Sequence, residues 1–207
     1  MIELDITLII SIITVIVSIV AIRNQDIKEK LSFNPYKITH NNEYHRIFTH
    51  ALVHADWMHL IINIMVFISF GEAVEHYFKE IFFGKSELYY ITLYVGGVLF
   101  SSLYGLIKNK DNIYYSAVGA SGAVSAVLYA AVLFQPTNKI YFFGIVPIPG
   151  ILFAVIYLIY SYQMSKKSND NIAHDAHFFG AVFGFIFPII LMPNLIIRFF
   201  EIIISVF

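Results

Sequence analysis

Long uncharged apolar runs separated by short polar connections set the first expectation for this chain. A spanning helix needs about 17–25 mostly apolar residues. Residues 6–22 meet this most cleanly and end at the polar stretch 23–30. No basic segment precedes this run and no small-residue cleavage site follows, which predicts a retained helix rather than a removed signal. Further runs predict helices over residues 57–77, 88–107, 118–134, 149–162 and 173–191. The fourth stops just before Pro136, and the fifth opens at Pro149, whose fixed φ suits a first helical turn. Residues 195–207 are too few to cross and carry Arg198 and Glu201, so they predict an interfacial tail. The expected fold is all-α and polytopic, with six transmembrane helices in a single membrane domain over residues 1–207.

Two connections are unusual. The first loop, 31–56, is long and half apolar, with Phe33, Ile38, Ile47, Phe48 and Leu52, and predicts a membrane-embedded loop. The stretch 140–148 is apolar, too short to cross and broken by Pro147, and predicts a second interfacial segment. Tyr89, Tyr90, Tyr114 and Tyr115 read as interfacial aromatics.

Composition sharpens the class. Apolar residues make up 58% and charged residues 13% of the 207 positions, against about 45–50% and about 25% in soluble domains. So few charges cannot cover a soluble globule. A net charge of −1 without a basic cluster disfavours a nucleic-acid partner. With no cysteine, a thiol nucleophile and thiolate metal sites are excluded.

Polar groups inside apolar spans are costly, so they are the candidates for function. His54, His59 and Asn63 open the second span; Ser121 opens the fourth, within Gly119–Ala126; His174 and His177 open the sixth. Spans two, four and six start on the same side, and each polar set lies within about two turns of its helix start, so the three sets share one pocket open to one face. Seven of the eight residues in Gly119–Ala126 are Gly, Ala or Ser, which surrounds this helix with other helices. On the sixth span His177, Gly180 and Gly184 share a face and invite close approach to that stripe. Such packing brings Ser121 to His177. Asp175, two residues from His177, faces elsewhere, so a Ser–His dyad is expected rather than a triad. An imidazole can take the proton of a serine hydroxyl near neutral pH, and the Ser121 N–H at a helix N-terminus, with His59 and Asn63, would supply oxyanion donors.

These residues resemble the rhomboid family of intramembrane serine proteases. Gly119-Ala-Ser-Gly122 is similar to the family's Gly-x-Ser-x motif, and Ala176-His-Phe-Phe-Gly-Ala-Val-Phe-Gly184 to its Ala-His-x-x-Gly-x-x-x-Gly motif. His54, His59 and Asn63 match its His-x4-His-x3-Asn element, and Glu75 matches a glutamate late in the same helix. The resemblance implies Ser121 as nucleophile, His177 as general base, and His59, Asn63 and the Ser121 N–H as oxyanion hole. Supporting roles fall to His54, Gly119, Gly122, Gly180, Gly184, Glu75 and Arg46, with Glu75 bracing backbone. It implies single-pass transmembrane protein substrates entering laterally from the lipid bilayer past the first loop and fifth helix, with no cofactor and no metal. Two positions depart from the pattern. A family Trp-Arg pair in the first loop is His45-Arg46 here, and Ser125 stands four residues after the nucleophile, where the family often places an aromatic packed on the catalytic histidine.

Sidedness has two opposed signals. Nine of thirteen Lys and Arg fall on the side of the first loop, which the positive-inside rule places in the cytoplasm. Family topology opens the pocket to the non-cytoplasmic side of a cell membrane, and an embedded loop carries its charges in a different setting from a free one; the resemblance is followed. Two other readings come from outside proteolysis. One is a histidine-rich membrane metal-binding or transport protein using His50, His54, His59, His174 and His177, although no His-Glu-x-x-His is present. The other is an inactive rhomboid-like binder of membrane helices.

Overall fold

The computed structural model describes residues 5–142, 145–167 and 173–206. Along the chain these form α1 (Ile6–Arg23), α2 (Gln25–Leu31), α3 (Pro35–Asn41), α4 (Arg46–Thr49) and a 3-10 turn at His50–Leu52. There follow α5 (Trp57–Ile81), α6 (Ser86–Lys108), α7 (Ser121–Phe134), strands β1 (Lys139–Phe142) and β2 (Val146–Pro149), then α8 (Gly150–Lys167), α9 (His174–Leu191) and α10 (Asn194–Ile204). Among the described residues, α1, α5, α6 and α9 are the four helices long and apolar enough on their own to cross a membrane. The expected fourth and fifth spans are helices of a different kind. α7 is apolar but only 14 residues long, and α8 ends in the polar run Ser161–Lys167.

α7 is the centre of the bundle. Every residue from Gly122 to Phe134 is buried, because α5, α6 and α9 all pack on it. Small residues allow this. A Cβ at Gly180 or Gly184 would collide with the backbone at Gly122 and Ala126 respectively, and one at Gly97 would sit 3.1 Å from Ala123 Cα. Around this centre, long helices turn apolar side chains such as Ile16, Met65, Ile107 and Ile190 outward, as a lipid-facing surface does.

α1 packs on α5 through a buried stripe of small polar residues, Thr7, Ser11, Thr14 and Ser18. Its N-terminus is capped from a distance. Asp5 makes no side-chain cap; instead Glu75 of α5 accepts from the Ile6 and Thr7 N–H groups, both at 2.9 Å, and from Thr7 Oγ1 at 2.6 Å. A carboxylate at the positive end of a helix is favourable on both hydrogen-bonding and dipole grounds.

Three expectations need correcting. Residues 118–120 are not helical; α7 starts only at Ser121, since Gly119 at φ +121° breaks the run. The stretch 140–148 contains an antiparallel hairpin, with Lys139 opposite Pro149 and Tyr141 opposite Pro147. Proline is tolerated there because both strands of a two-stranded ladder are edges. Tyr90 is fully buried and not an interfacial anchor; its hydroxyl lies 2.6 Å from Thr7 Oγ1, where α1 and α6 meet.

Candidate active site

Ser121 sits at the first residue of α7, and the segment leading to it is held by the first loop. Phe33 and Ala117 exchange two backbone hydrogen bonds at 2.9 and 3.0 Å, and the Gly119 N–H donates to the His50 carbonyl at 2.9 Å. The Ala120 N–H points at His54 Nε2, 3.5 Å away. With Nε2 as acceptor, Nδ1 carries the proton and donates to Ser18 Oγ at 2.8 Å, and the Ser18 hydroxyl donates on to the Leu52 carbonyl at 2.8 Å. His54 is therefore a fully buried strut between α1 and the serine loop. Burial, reinforced by the nearby His59, pulls its pKa down to about 3, so the neutral ring that this bonding requires is the stable form. His50, also buried, bonds to the Arg46 carbonyl at 3.0 Å, and burial lowers its pKa to about 4.

Arg46 anchors the loop itself. Its guanidinium donates to Glu43 at 2.6 Å and to the carbonyls of Glu29 and Ser32 at 2.5 and 2.9 Å, and it is only 3% exposed. The same guanidinium holds the Glu43 carboxyl below the usual carboxylate range.

α9 brings the base. His177 Nε2 lies 2.7 Å from Ser121 Oγ, a short hydrogen bond between groups 56 residues apart. The distance follows from the α7–α9 packing, because Gly180 is one turn from His177 and meets Gly122, the neighbour of Ser121. Asp175 accepts from the Ala176 N–H at 2.9 Å.

His59, Asn63, Ser121 and His177 line one cavity of about 1090 Å³, walled by α5, α7 and α8. The His59 ring packs over Gly119, where a Cβ would lie 2.7 Å from its Cε1, and meets His54 edge-on at 5.0 Å. Asn63 donates to the His59 carbonyl at 2.9 Å. Its amide thus braces the first turn of α5. Asp56 caps the same helix by accepting from the His59 N–H at 2.8 Å. No side chain caps α7, which leaves its first-turn N–H groups directed toward the cavity end of the helix. Of the supporting set, Gly119, Gly122, Gly180 and Gly184 all stand at close approaches of the kind described, while Glu75 lies at the other end of α5, away from the dyad.

One contact at the site lay outside the sequence reading. Tyr157 of α8 stacks on His177, ring centroids 6.1 Å apart and planes 18° from parallel. The serine at position 125 signalled a missing ring, but nothing in the linear order of α8 distinguishes Tyr157 from Phe153 or Tyr160 as its source.

The bundle has a buried central helix whose first residue is a serine bonded to a histidine of a neighbouring helix. A family model for the Rhomboid domain matches residues 41–194, and the chain belongs to the rhomboid family. It is an integral membrane protein. Over 152 residues it is 26% identical to "RHOMBOID-like protein 12, mitochondrial" of Arabidopsis thaliana, covering 66% of this chain and 43% of that one. The chain thus spans less than half the length of this relative.

Proposed function

We propose that this protein is an intramembrane serine endopeptidase that cuts single-pass transmembrane proteins near the membrane surface. The observation that carries the reading is the 2.7 Å contact between Ser121 Oγ and His177 Nε2 beside a large cavity. Ser121 Oγ attacks the scissile carbonyl while its proton passes to His177 Nε2. The carbonyl oxygen becomes an oxyanion stabilised by the Ser121 N–H and by His59 and Asn63. Asn63 must exchange its bond to the His59 carbonyl for the oxyanion, so donors assemble as substrate binds. His177 returns the proton to the departing amine, leaving an acyl-serine. Water, deprotonated by the same imidazole, then attacks the ester and frees the second product.

Lateral entry of the substrate between α5 and α8 fits the position of the cavity. The pocket opens to the non-cytoplasmic side of a cell membrane in this reading. The test is purified protein in vesicles with a single-pass model substrate and a fluorophosphonate probe. Labelling and cleavage that vanish in Ser121→Ala and His177→Ala, with native melting and no effect of a chelator, are the expected results. A chelator-sensitive activity unaffected by Ser121→Ala would instead favour a metal protein, and a folded protein that neither labels nor cuts would favour a helix binder. Cysteine accessibility at Ser116 and Gln135 fixes the sidedness.

A further inference from the structure

Ser125 replaces the aromatic expected four residues after Ser121, yet the ring is present in the site. It comes from another helix. Tyr157 of α8 lies across the His177 imidazole in an offset stack, inside the range of about 4.5–7 Å for attractive ring pairs. Its hydroxyl is 3.3 Å from Ser125 Oγ, so the residue that vacated the position now holds the far end of the substitute ring. Phe153 stacks on Tyr157 in turn, at 5.9 Å with planes 11° apart. His174 meets the imidazole edge-on at 5.9 Å, and Tyr160 meets His174 edge-on at 5.6 Å. The base is therefore clasped by two aromatic residues of α8, one directly and one through His174.

A single hydrogen bond to Ser121 fixes one end of the imidazole but leaves the ring free to tilt about it. A parallel neighbour removes that freedom. We infer that Tyr157 is the positioning residue for His177, and that the dyad is therefore aligned only while α8 is seated against α7 and α9. This inference rests on the protease reading. α8 shares its inner face with the cavity through Phe153 and Tyr157 and turns Leu152, Val155, Ile156 and Ile159 outward. An outward swing of α8 would carry the tyrosine off the imidazole and disarm the base, so opening for substrate and alignment for chemistry alternate.

The test combines four proteins with two readouts. Tyr157→Leu should lower kcat and the fluorophosphonate-labelling rate about tenfold, the equivalent of one stacking contact, with KM nearly unmoved. Tyr157→Phe keeps the ring and should stay within about threefold of native, as expected for loss of a hydroxyl bond alone. Placing the ring at the vacated position, in Ser125→Tyr with Tyr157→Leu, should recover most of the loss. The second readout needs no activity: the His177 ring protons, seen by NMR in detergent, should lose their ring-current shift in Tyr157→Leu and keep it in Tyr157→Phe. Native labelling by Tyr157→Leu overturns the inference, as does equal damage from Tyr157→Phe or a double variant that melts like native but recovers nothing. Absence of Ser121-dependent labelling in the native protein would sink the protease reading instead, and the NMR comparison would still decide whether Tyr157 holds the ring.

Discussion

Gly180→Ala should disarm the site without touching a reactive atom. A Cβ built at Gly180 lies 2.8 Å from the Gly122 carbonyl carbon and 3.1 Å from its Cα, with the carbonyl oxygen nearer still. Relaxed carbon pairs sit about 3.5–4.0 Å apart, so α9 must retreat from α7 by about 1 Å. The obstacle is backbone and cannot rotate away. His177 is one turn along α9 and Ser121 adjoins Gly122, so most of that retreat appears in the dyad. Its 2.7 Å bond would lengthen to about 3.5–3.7 Å, beyond useful hydrogen bonding. Misplacement on this scale costs about 10²-fold in rate. Overpacking costs about 1–3 kcal/mol, partly offset by up to about 1 kcal/mol of helix propensity gained by replacing glycine. The assay is labelling rate and thermal melting in detergent, with Gly105→Ala as control, because a Cβ there meets only the Phe33 ring at 3.4 Å and the Tyr115 hydroxyl at 3.9 Å. Gly184→Ala should melt early as well but perturb labelling less, being a further turn from His177. Native labelling and melting by Gly180→Ala would refute the claim that helix contact sets the dyad distance.

Glu75→Ala removes three bonds at the start of α1 and should cost about 2–4 kcal/mol, while Glu75→Gln should cost less than half of that; equal melting of both variants and the native protein would show that the cap is dispensable. Arg46→Lys cannot reproduce three guanidinium bonds in one plane and should lose about 1–2 kcal/mol, read as earlier melting with faster proteolysis of the first loop. Stability should also fall on acidification. His54 and His50 keep neutral rings to about pH 3 and about pH 4, whereas unfolded histidine takes a proton near about pH 6.5. Their contribution is thus complete above about pH 6.5 and is lost as pH drops toward the folded values, at up to about 1.4 kcal/mol per pH unit for each ring. His54→Leu should flatten that slope even where it lowers the plateau, and an unchanged slope between pH 6.5 and 4 would refute the assignment.

The parity of spans two, four and six was enough to bring His59, Asn63, Ser121 and His177 to one cavity, since apolar runs report helix order and direction directly. The small-residue stripes of α7 and α9 likewise announced which pair would meet. Helix ends were less legible. α5 and α8 continue to Ile81 and Lys167, beyond residues 77 and 162, because a hydropathy signal stops where side chains turn polar while the hydrogen-bonded backbone does not. The hairpin at Lys139–Pro149 escaped for a related reason: a short apolar run has no period that separates a strand from an interfacial coil. His54, expected in a supporting role, is an interior strut, and its partner was not legible because Ser18 is one of four small polar residues on the buried stripe of α1. Tyr157 is the hardest case. Ring stacking depends on the rotation of α8 about its own axis, and a helix with aromatic residues on several faces leaves that rotation unwritten in its pattern.

The brevity of α7 has a consequence for hydration. Fourteen residues reach about 21 Å, whereas hydrocarbon is about 30 Å thick. Encased by taller neighbours, α7 never borrows lipid to make up the remaining 9 Å or so, and its uncapped amides at Ser121 require solvation from somewhere. The cavity of about 1090 Å³ at that end of the helix has room for water to meet that demand, and in the proposed protease reading the same water would serve the step that frees the acyl-serine.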